Sequence, residues 1–183
     1  RAVVYQPHTK RRLCKQCFIK DIKRRVMEEI RRYNMLSSND KVALALSGGK
    51  DSFVLLDVLS EIHSSSKMFA ITIVEGIYGY NKPEYVERLR KETRARGVDH
   101  IIVSFKEYIG KTLDELIMLV RQRNTDISPC TYCGALRRRI INTYARMHGA
   151  TKTATAHNLD DEAQTSLMNI LRGDIIRLLR QHP

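Results

Sequence analysis

The sequence predicts an α/β protein: a Rossmann-like parallel sheet with helices on both faces, preceded by a small basic module that carries two cysteines. Three observations carry this expectation. From Lys41 onward, short apolar runs alternate with amphipathic helical stretches. The run Val42-Ala43-Leu44-Ala45-Leu46 is apolar without alternation, as expected of a strand covered on both faces. The pair Gly48-Gly49 interrupts the pattern directly after that run and before the next helix.

The elements follow in order. Ala2-Val3-Val4-Tyr5 predicts a strand and Pro7-His8 a turn. Leu13-Cys14-Lys15-Gln16-Cys17 resembles one knuckle of a zinc ribbon. Residues 20–33 predict a basic helix with Ile22, Val26, Ile30 and Tyr33 on one stripe. Ser37-Ser38-Asn39-Asp40 predicts a linker, dividing a module of residues 1–36 from a main domain of residues 37–183. After the strand at 42–46, a helix is expected with Val54, Leu55, Val58, Leu59 and Ile62 inward. Met68 to Val74 predicts a strand, Pro83 to Arg96 a helix and Ile101-Ile102-Val103 a strand. Residues 111–123 and 133–148 predict helices, Thr153-Ala154-Thr155-Ala156 a fourth strand, and a helix begins near Asp160.

The chain has 183 residues and a formal net charge of +12. Residues 1–33 hold eleven Lys/Arg against three acids, so +8 of that excess is concentrated there. Such a balance points to a polyanionic partner. The hydrophobic fraction of 43% excludes a charged disordered tail. No apolar run approaches the roughly 18 residues of a membrane helix, and no signal-peptide core is present, so a cytoplasmic protein with no membrane partner is expected. The first residue is Arg1 and the last three are Gln181-His182-Pro183, within basic amphipathic sequence. This predicts a fragment with metal ligands missing at both ends.

The segment Ser47-Gly48-Gly49-Lys50-Asp51-Ser52 has the character of a phosphate site. Glycines let the backbone turn tightly, and the following helix N-terminus offers N–H groups and partial positive charge to an anion. Lys50 adds a point charge, and Ser47 and Ser52 add hydroxyls. Asp51 would repel a phosphate unless a cation bridges the two, which implies Mg²⁺. The spacing is neither G-x-x-x-x-G-K-[ST] nor G-x-G-x-x-G.

Cys130-Thr131-Tyr132-Cys133 follows Pro129 and leads into Arg137-Arg138-Arg139. Thiols at a helix N-terminus are expected to have lowered pKa values. They are suited to zinc, to an iron–sulfur cluster or to a redox disulfide, and any Cys₄ metal site needs further ligands. His157-Asn158-Leu159-Asp160-Asp161-Glu162 follows the fourth strand. Asn158 or Asp160 can cap the new helix, and an aspartate across the crevice from Ser47–Ser52 can hold Mg²⁺ or orient a nucleotide.

Ser-Gly-Gly-Lys-Asp-Ser is the PP-loop signature of the N-type ATP pyrophosphatases. Together with Pro129–Arg139, His157–Thr165 and Asn169–Asp174, it makes the chain resemble the TtcA/TtuA family of tRNA thiolation enzymes. The Cys14/Cys17 knuckle resembles the archaeal and cytosolic tRNA 2-thiouridine synthetase branch. The resemblance implies that Ser47, Gly48, Gly49, Lys50, Asp51 and Ser52 cradle the pyrophosphate of ATP, with Ala45 beside it at the strand end. It implies that backbone near Ile71 reads adenine and that Arg137 and Ala156 line the nucleotide. Asp161 is implied as a catalytic or Mg²⁺-linked acid, with Lys50, Asp51 and Arg137 in the chemistry. Cys130 and Cys133 are implied as two ligands of a [4Fe–4S] cluster, and Cys14 and Cys17 as zinc ligands.

The implied reaction adenylates O2 of a tRNA uridine and then transfers sulfur to C2. The sulfur donor is a ubiquitin-like carrier protein or sulfide, and a homodimer or partner subunit is an added expectation. Where the family reads Asp-Glu-Gly-Ile, this chain reads Val74-Glu75-Gly76-Ile77. Two other readings compete: a non-catalytic tRNA-binding partner subunit, and a PP-loop amidating or ligase enzyme with a zinc C-x-x-C.

Overall fold

A computed structural model describes residues 1–80, 82–122 and 128–180. It opens with a two-stranded antiparallel hairpin, β1 (Val4–Gln6) and β2 (Arg11–Leu13), followed by α1 (Lys15–Arg32). The hairpin differs from the expected single strand at 2–5, because the second strand is formed by the cationic Arg11-Arg12-Leu13. Helix α1 is five residues longer at its start than the predicted 20–33, so Cys17 lies inside its first turn and Cys14 is its N-cap.

The main sheet is parallel, with order β5 (Asp99–Ser104), β4 (Met68–Val74), β3 (Val42–Ala45), β6 (Lys152–Thr155). Between its strands run α2 (Lys50–Ile62), α3 (Pro83–Ala95), α4 (Phe105–Ile109), α5 (Leu113–Gln122) and α6 (Pro129–Met147), and β6 is followed by α7 (Leu159–Leu171) and α8 (Ile175–Leu179). In β3, Val42, Ala43 and Leu44 are wholly buried, as the unbroken apolar run requires.

Alternation along the strands divides the core in two. On one face Val42, Leu44, Met68 and Ala70 pack with Leu56 and Leu59 of α2 and Leu89 of α3. On the other Ala43, Phe69, Ile71, Ile73 and Val103 pack with Phe105 of α4, Leu113 of α5 and Ile140 of α6. Ile30 of α1 and Leu36 seat against the first cluster.

Several boundaries depart from expectation. Val54, predicted inward, is 52% exposed, and Leu56 takes the buried position. The helix expected at 111–123 is α5, which starts at Leu113; the short helix α4, closed by Gly110 in a left-handed conformation, is an addition to the expected elements, and residue 123 lies outside the described residues. Ser104 and Glu107 cap α4 reciprocally. The helix expected from 133 starts at Pro129, with Ser128 as N-cap and Pro at the first turn, so both cysteines sit on it. Strand β6 ends at Thr155, leaving Ala156 just beyond it.

The N-terminal module is organised around Asp21, whose side chain is 4% exposed. Its carboxylate accepts from Arg24 at 3.0 Å, Arg25 at 3.1 Å, Arg11 at 3.3 Å and Gln6 at 3.3 Å. Hydrogen bonds from Arg24 and Gln6 lead the causes that hold this carboxyl down to about 2. Lys23 ties α1 to α2 through Asp57 at 3.2 Å and through Glu61.

An aspartate with a depressed folded-state pKa stabilises above its unfolded value and loses that contribution as it is protonated in the fold. The Tm difference between the unaltered chain and Asp21→Asn, followed by circular dichroism, is therefore expected to be full near pH 5. It shrinks as pH falls from about 4 toward about 2.

Candidate functional site: a phosphate loop beside a cysteine-lined cavity

The sheet order makes β3 the point where the chain turns from adding strands on one side to adding one on the other. Ligands of open α/β sheets bind at the carboxyl ends of the strands at such a point. Ser47–Lys50 leave β3 here, and Ala156–Asn158 leave β6 here.

The loop after β3 is held from within. The Ser47 backbone N–H donates to Ser52 Oγ at 2.9 Å, and the two hydroxyls lie 2.9 Å apart. Ser52 is buried, so one seryl hydroxyl serves loop shape as well as any ligand. Gly48 has φ +87°, a conformation a side chain disfavours, while the space around it is adequate (Leu89 Cδ1 at 3.5 Å from a built Cβ). Gly49 is the N-cap of α2 and no side chain caps that terminus. Lys50 Nζ bonds both oxygens of Asp51, at 2.9 and 2.8 Å. Its ammonium is held above the usual lysine range by Asp51 first, with Asp161 and Asp160 adding to the field. The loops after β3 and β6 therefore face one another.

Asp161 itself sits in a capping box. Its Oδ2 accepts the Asn158 N–H at 2.8 Å, and Asn158 Oδ1 accepts the N–H groups of Asp160 and Asp161 at 2.9 and 3.2 Å. Of the two candidate caps, Asn158 is the one used.

A cavity of about 580 Å³ opens on Ser47, Gly48 and Gly49 and runs to Thr72, Tyr80, Lys82 and Tyr85. The last four were not singled out by sequence. Thr72 is the residue after Ile71 on β4, and its hydroxyl lies 2.8 Å from His100 Nε2. Burial, then the Arg90 charge, pushes that imidazole down to about 4, so His100 is neutral at physiological pH. Ile71 is placed differently. It is 1% exposed on the opposite face of the sheet, and its carbonyl accepts the Leu46 N–H at 2.9 Å. Ala45 ends β3 in register with Ile71 and Thr155.

A second cavity, about 620 Å³, lies on the other face and is lined by Cys130, Cys133, Arg137, Ile77 and Asp114 among others. Arg137 Nε bonds Glu75 Oε1 at 3.2 Å, and the Glu75 side chain is 3% exposed. Arg137 is thus fixed beside the cysteines, one helical turn after Cys133. The expectation of lowered thiol pKa values fails at Cys133. Burial first, then the Glu75 carboxylate, pushes it above the ordinary cysteine value, and this outweighs Arg137.

In the N-terminal pair, Cys14 is held below the ordinary value, chiefly by the Cys17 backbone N–H at the start of α1. Among the described residues no set of three or more His, Cys, Asp or Glu is placed to hold a metal ion. Each cysteine pair thus supplies two sulfur donors, which fits part of a four-ligand site.

Removing one partner of a buried ion pair strands the other. Arg137→Ala is expected to destabilise the fold by about 2 kcal/mol in urea denaturation, below the full buried-pair cost because Arg137 keeps a third of its side chain in water. Adding Glu75→Gln to that variant is expected to recover part of the loss.

Comparison with known proteins places this geometry. A family model described as a PP-loop domain matches residues 19–182. The cytoplasmic tRNA 2-thiolation protein 1 of Chlamydomonas reinhardtii is 36% identical over 98% of this chain and 50% of its own length. A probable sulfurtransferase of Methanocaldococcus jannaschii is 36% identical over 98% of this chain and 53% of its own. The chain thus spans about half the length of the curated relatives it matches. The solved structure of U34-tRNA thiolase NcsA from Methanococcus maripaludis with its [4Fe–4S] cluster superposes with a TM-score of 0.82 at 36% identity, covering 97% of this chain and 57% of that one. A glutamine-dependent NAD⁺ synthetase from Acinetobacter baumannii, at 18% identity and TM-score 0.51 over 81% of this chain and 28% of that one, shares the fold. The chain therefore belongs to the PP-loop family, and within it resembles the TtcA/TtuA-like tRNA thiolation proteins.

Proposed function

We propose that this chain is the ATP-binding and sulfur-transfer part of a cytoplasmic tRNA-uridine 2-sulfurtransferase. The observation that carries the reading is a pair of cavities that both reach the segment just after β4, one at Gly79 and Tyr80 and the other at Ile77. The first is lined by the Ser47–Gly49 loop and the second, on the opposite face, by Cys130 and Cys133, which supports a reading in which ATP is bound at the first and sulfur is handled at the second.

In this reading the N-terminus of α2 and Lys50 bind the β- and γ-phosphates of ATP. Asp51 and Asp161 would be the carboxylates that hold Mg²⁺, which would offset the phosphate charge. Uridine O2 attacks the α-phosphorus, the P–O bond to pyrophosphate breaks, and Lys50 balances the charge leaving on pyrophosphate. Sulfide, or sulfur delivered by a ubiquitin-like carrier, then forms the C2–S bond as the C2–O bond breaks and AMP departs. Cys130 and Cys133 would be two of the ligands of a [4Fe–4S] cluster, which supplies an iron to bind incoming sulfur. Arg137, fixed by Glu75, keeps a cation at that cavity, where it offsets negative charge brought by sulfur or by the nucleotide. Cys14 and Cys17 would be half of a zinc site. Residues 1–36, with the guanidinium groups gathered at Asp21, grip the RNA backbone, and residues 37–183 carry the chemistry.

Lys50→Ala is expected to lower ATP-dependent pyrophosphate release by about a hundredfold or more. A variant that still releases pyrophosphate at the normal rate refutes the phosphate-loop role. Cys130→Ala, purified anaerobically, is expected to lose visible iron–sulfur absorbance while retaining ATP binding. Retained absorbance would exclude Cys130 as a ligand.

A further inference from the structure

Residues 77–80, which follow β4, border both cavities. Ile77 lines the cysteine cavity, and Tyr80 lines the phosphate-loop cavity. Tyr78 stands between them and is 98% exposed.

Its position is built. Gly76, at φ +73°, lies so close to α5 that a Cβ there would fall 2.7 Å from Thr112 Cβ and Cγ2. The Glu75 carbonyl accepts the Leu113 N–H at 2.8 Å, the Tyr78 N–H donates to Asp114 Oδ2 at 2.8 Å, and the Tyr80 N–H donates to the Ile77 carbonyl at 3.1 Å. The backbone under Tyr78 is therefore pinned to the start of α5 while its ring stands in water. Tyr80 and Tyr85, 56% and 53% exposed, flank the phosphate-loop side.

Resting on the thiolation reading above, the two reaction steps meet at one C2–O2 bond of one base. That base must be presented to both cavities, and it must leave its stack to be reached. An extruded base is held by stacking on an aromatic face, which is tolerant of sequence. We propose that Tyr78 is the platform on which an extruded pyrimidine of the RNA substrate stacks, between the phosphate-loop cavity and the cysteine cavity.

This chain contains no tryptophan, so Tyr78→Trp introduces a single emitter at the platform. Bulk tRNA and a short oligouridylate are expected to quench its emission, with tRNA affinity within about twofold of the unaltered chain. Tyr78→Ala is expected to weaken tRNA binding by about 5- to 100-fold, as loss of one stacked base does. The slope of log Kd on log salt stays unchanged because no phosphate contact is removed. Its Tm and ATP affinity also stay unchanged, because the ring buries no surface in the fold.

Tyr78→Trp emission unmoved by saturating tRNA, or Tyr78→Ala binding tRNA as tightly as the unaltered chain, overturns the platform. An unaltered chain with no affinity for tRNA in filter binding fails the thiolation reading itself, and the platform with it.

Discussion

Val42, Ala43 and Leu44 have no exposure to water, and their backbone is hydrogen-bonded to β4 on one side and β6 on the other. A strand covered on both faces and both edges leaves only its ends free. Chain emerging from the carboxyl end of β3 must therefore turn out of the sheet, and it does so through Gly48 at positive φ into the uncapped start of α2. The phosphate loop is thus a consequence of how β3 is buried. The Ser47 N–H is spent on Ser52 Oγ to hold the loop, and the start of α2 that follows has no side-chain cap, which leaves its terminal N–H groups to a ligand.

The same burial sorts the chemistry by face. Side chains alternate across β4, so Thr72 joins the phosphate-loop side while Ile71 and Ile73 join the side covered by α5 and α6. At the carboxyl end of β4, the buried Glu75 reaches Arg137 of α6 and so fixes the cysteine-bearing helix to the strand. One strand end thereby positions both cavities, and the charge of Arg137 is committed first to structure. The half-buried Cys133 thiol, close to the Glu75 carboxylate, is less acidic than its place near a helix N-terminus alone would make it.

Much of this was legible in the sequence. Met68–Val74 matched to the residue because seven nonpolar or β-branched residues in a row have no competing reading. The loop at Ser47 was legible because glycine, lysine and serine between a strand and a helix have a single physical use. The hairpin strand Arg11–Leu13 was not, because its turn places Lys10 rather than a glycine at positive φ (54°) and its strand is cationic. The short helix α4 carried a readable signal, the Ser104-x-x-Glu107 capping box, but its five residues are too few to show a helical period. Val54 and Leu56 exchanged places because α2 is covered by both the sheet and α1, so its buried stripe is not a single helical face. Thr72, His100 and the Glu75–Arg137 pair depend on contacts across the fold, which no local pattern encodes.

The pairing of β3 with β6 also has a bearing on how the molecule is made. The Lys41 N–H donates to Thr151 Oγ1 across a sequence separation of 110 residues, whereas β3 meets β4 after one helix. Contacts this distant pay the larger loop-closure entropy and form late. Until β6 arrives, the most apolar strand of the protein has a bare edge, open to pairing with any other chain. The crevice between the β3 and β6 loops is thus among the last features to assemble. A nucleotide that bridges the two loops binds only the closed state, and by mass action favours the closure that hides the edge.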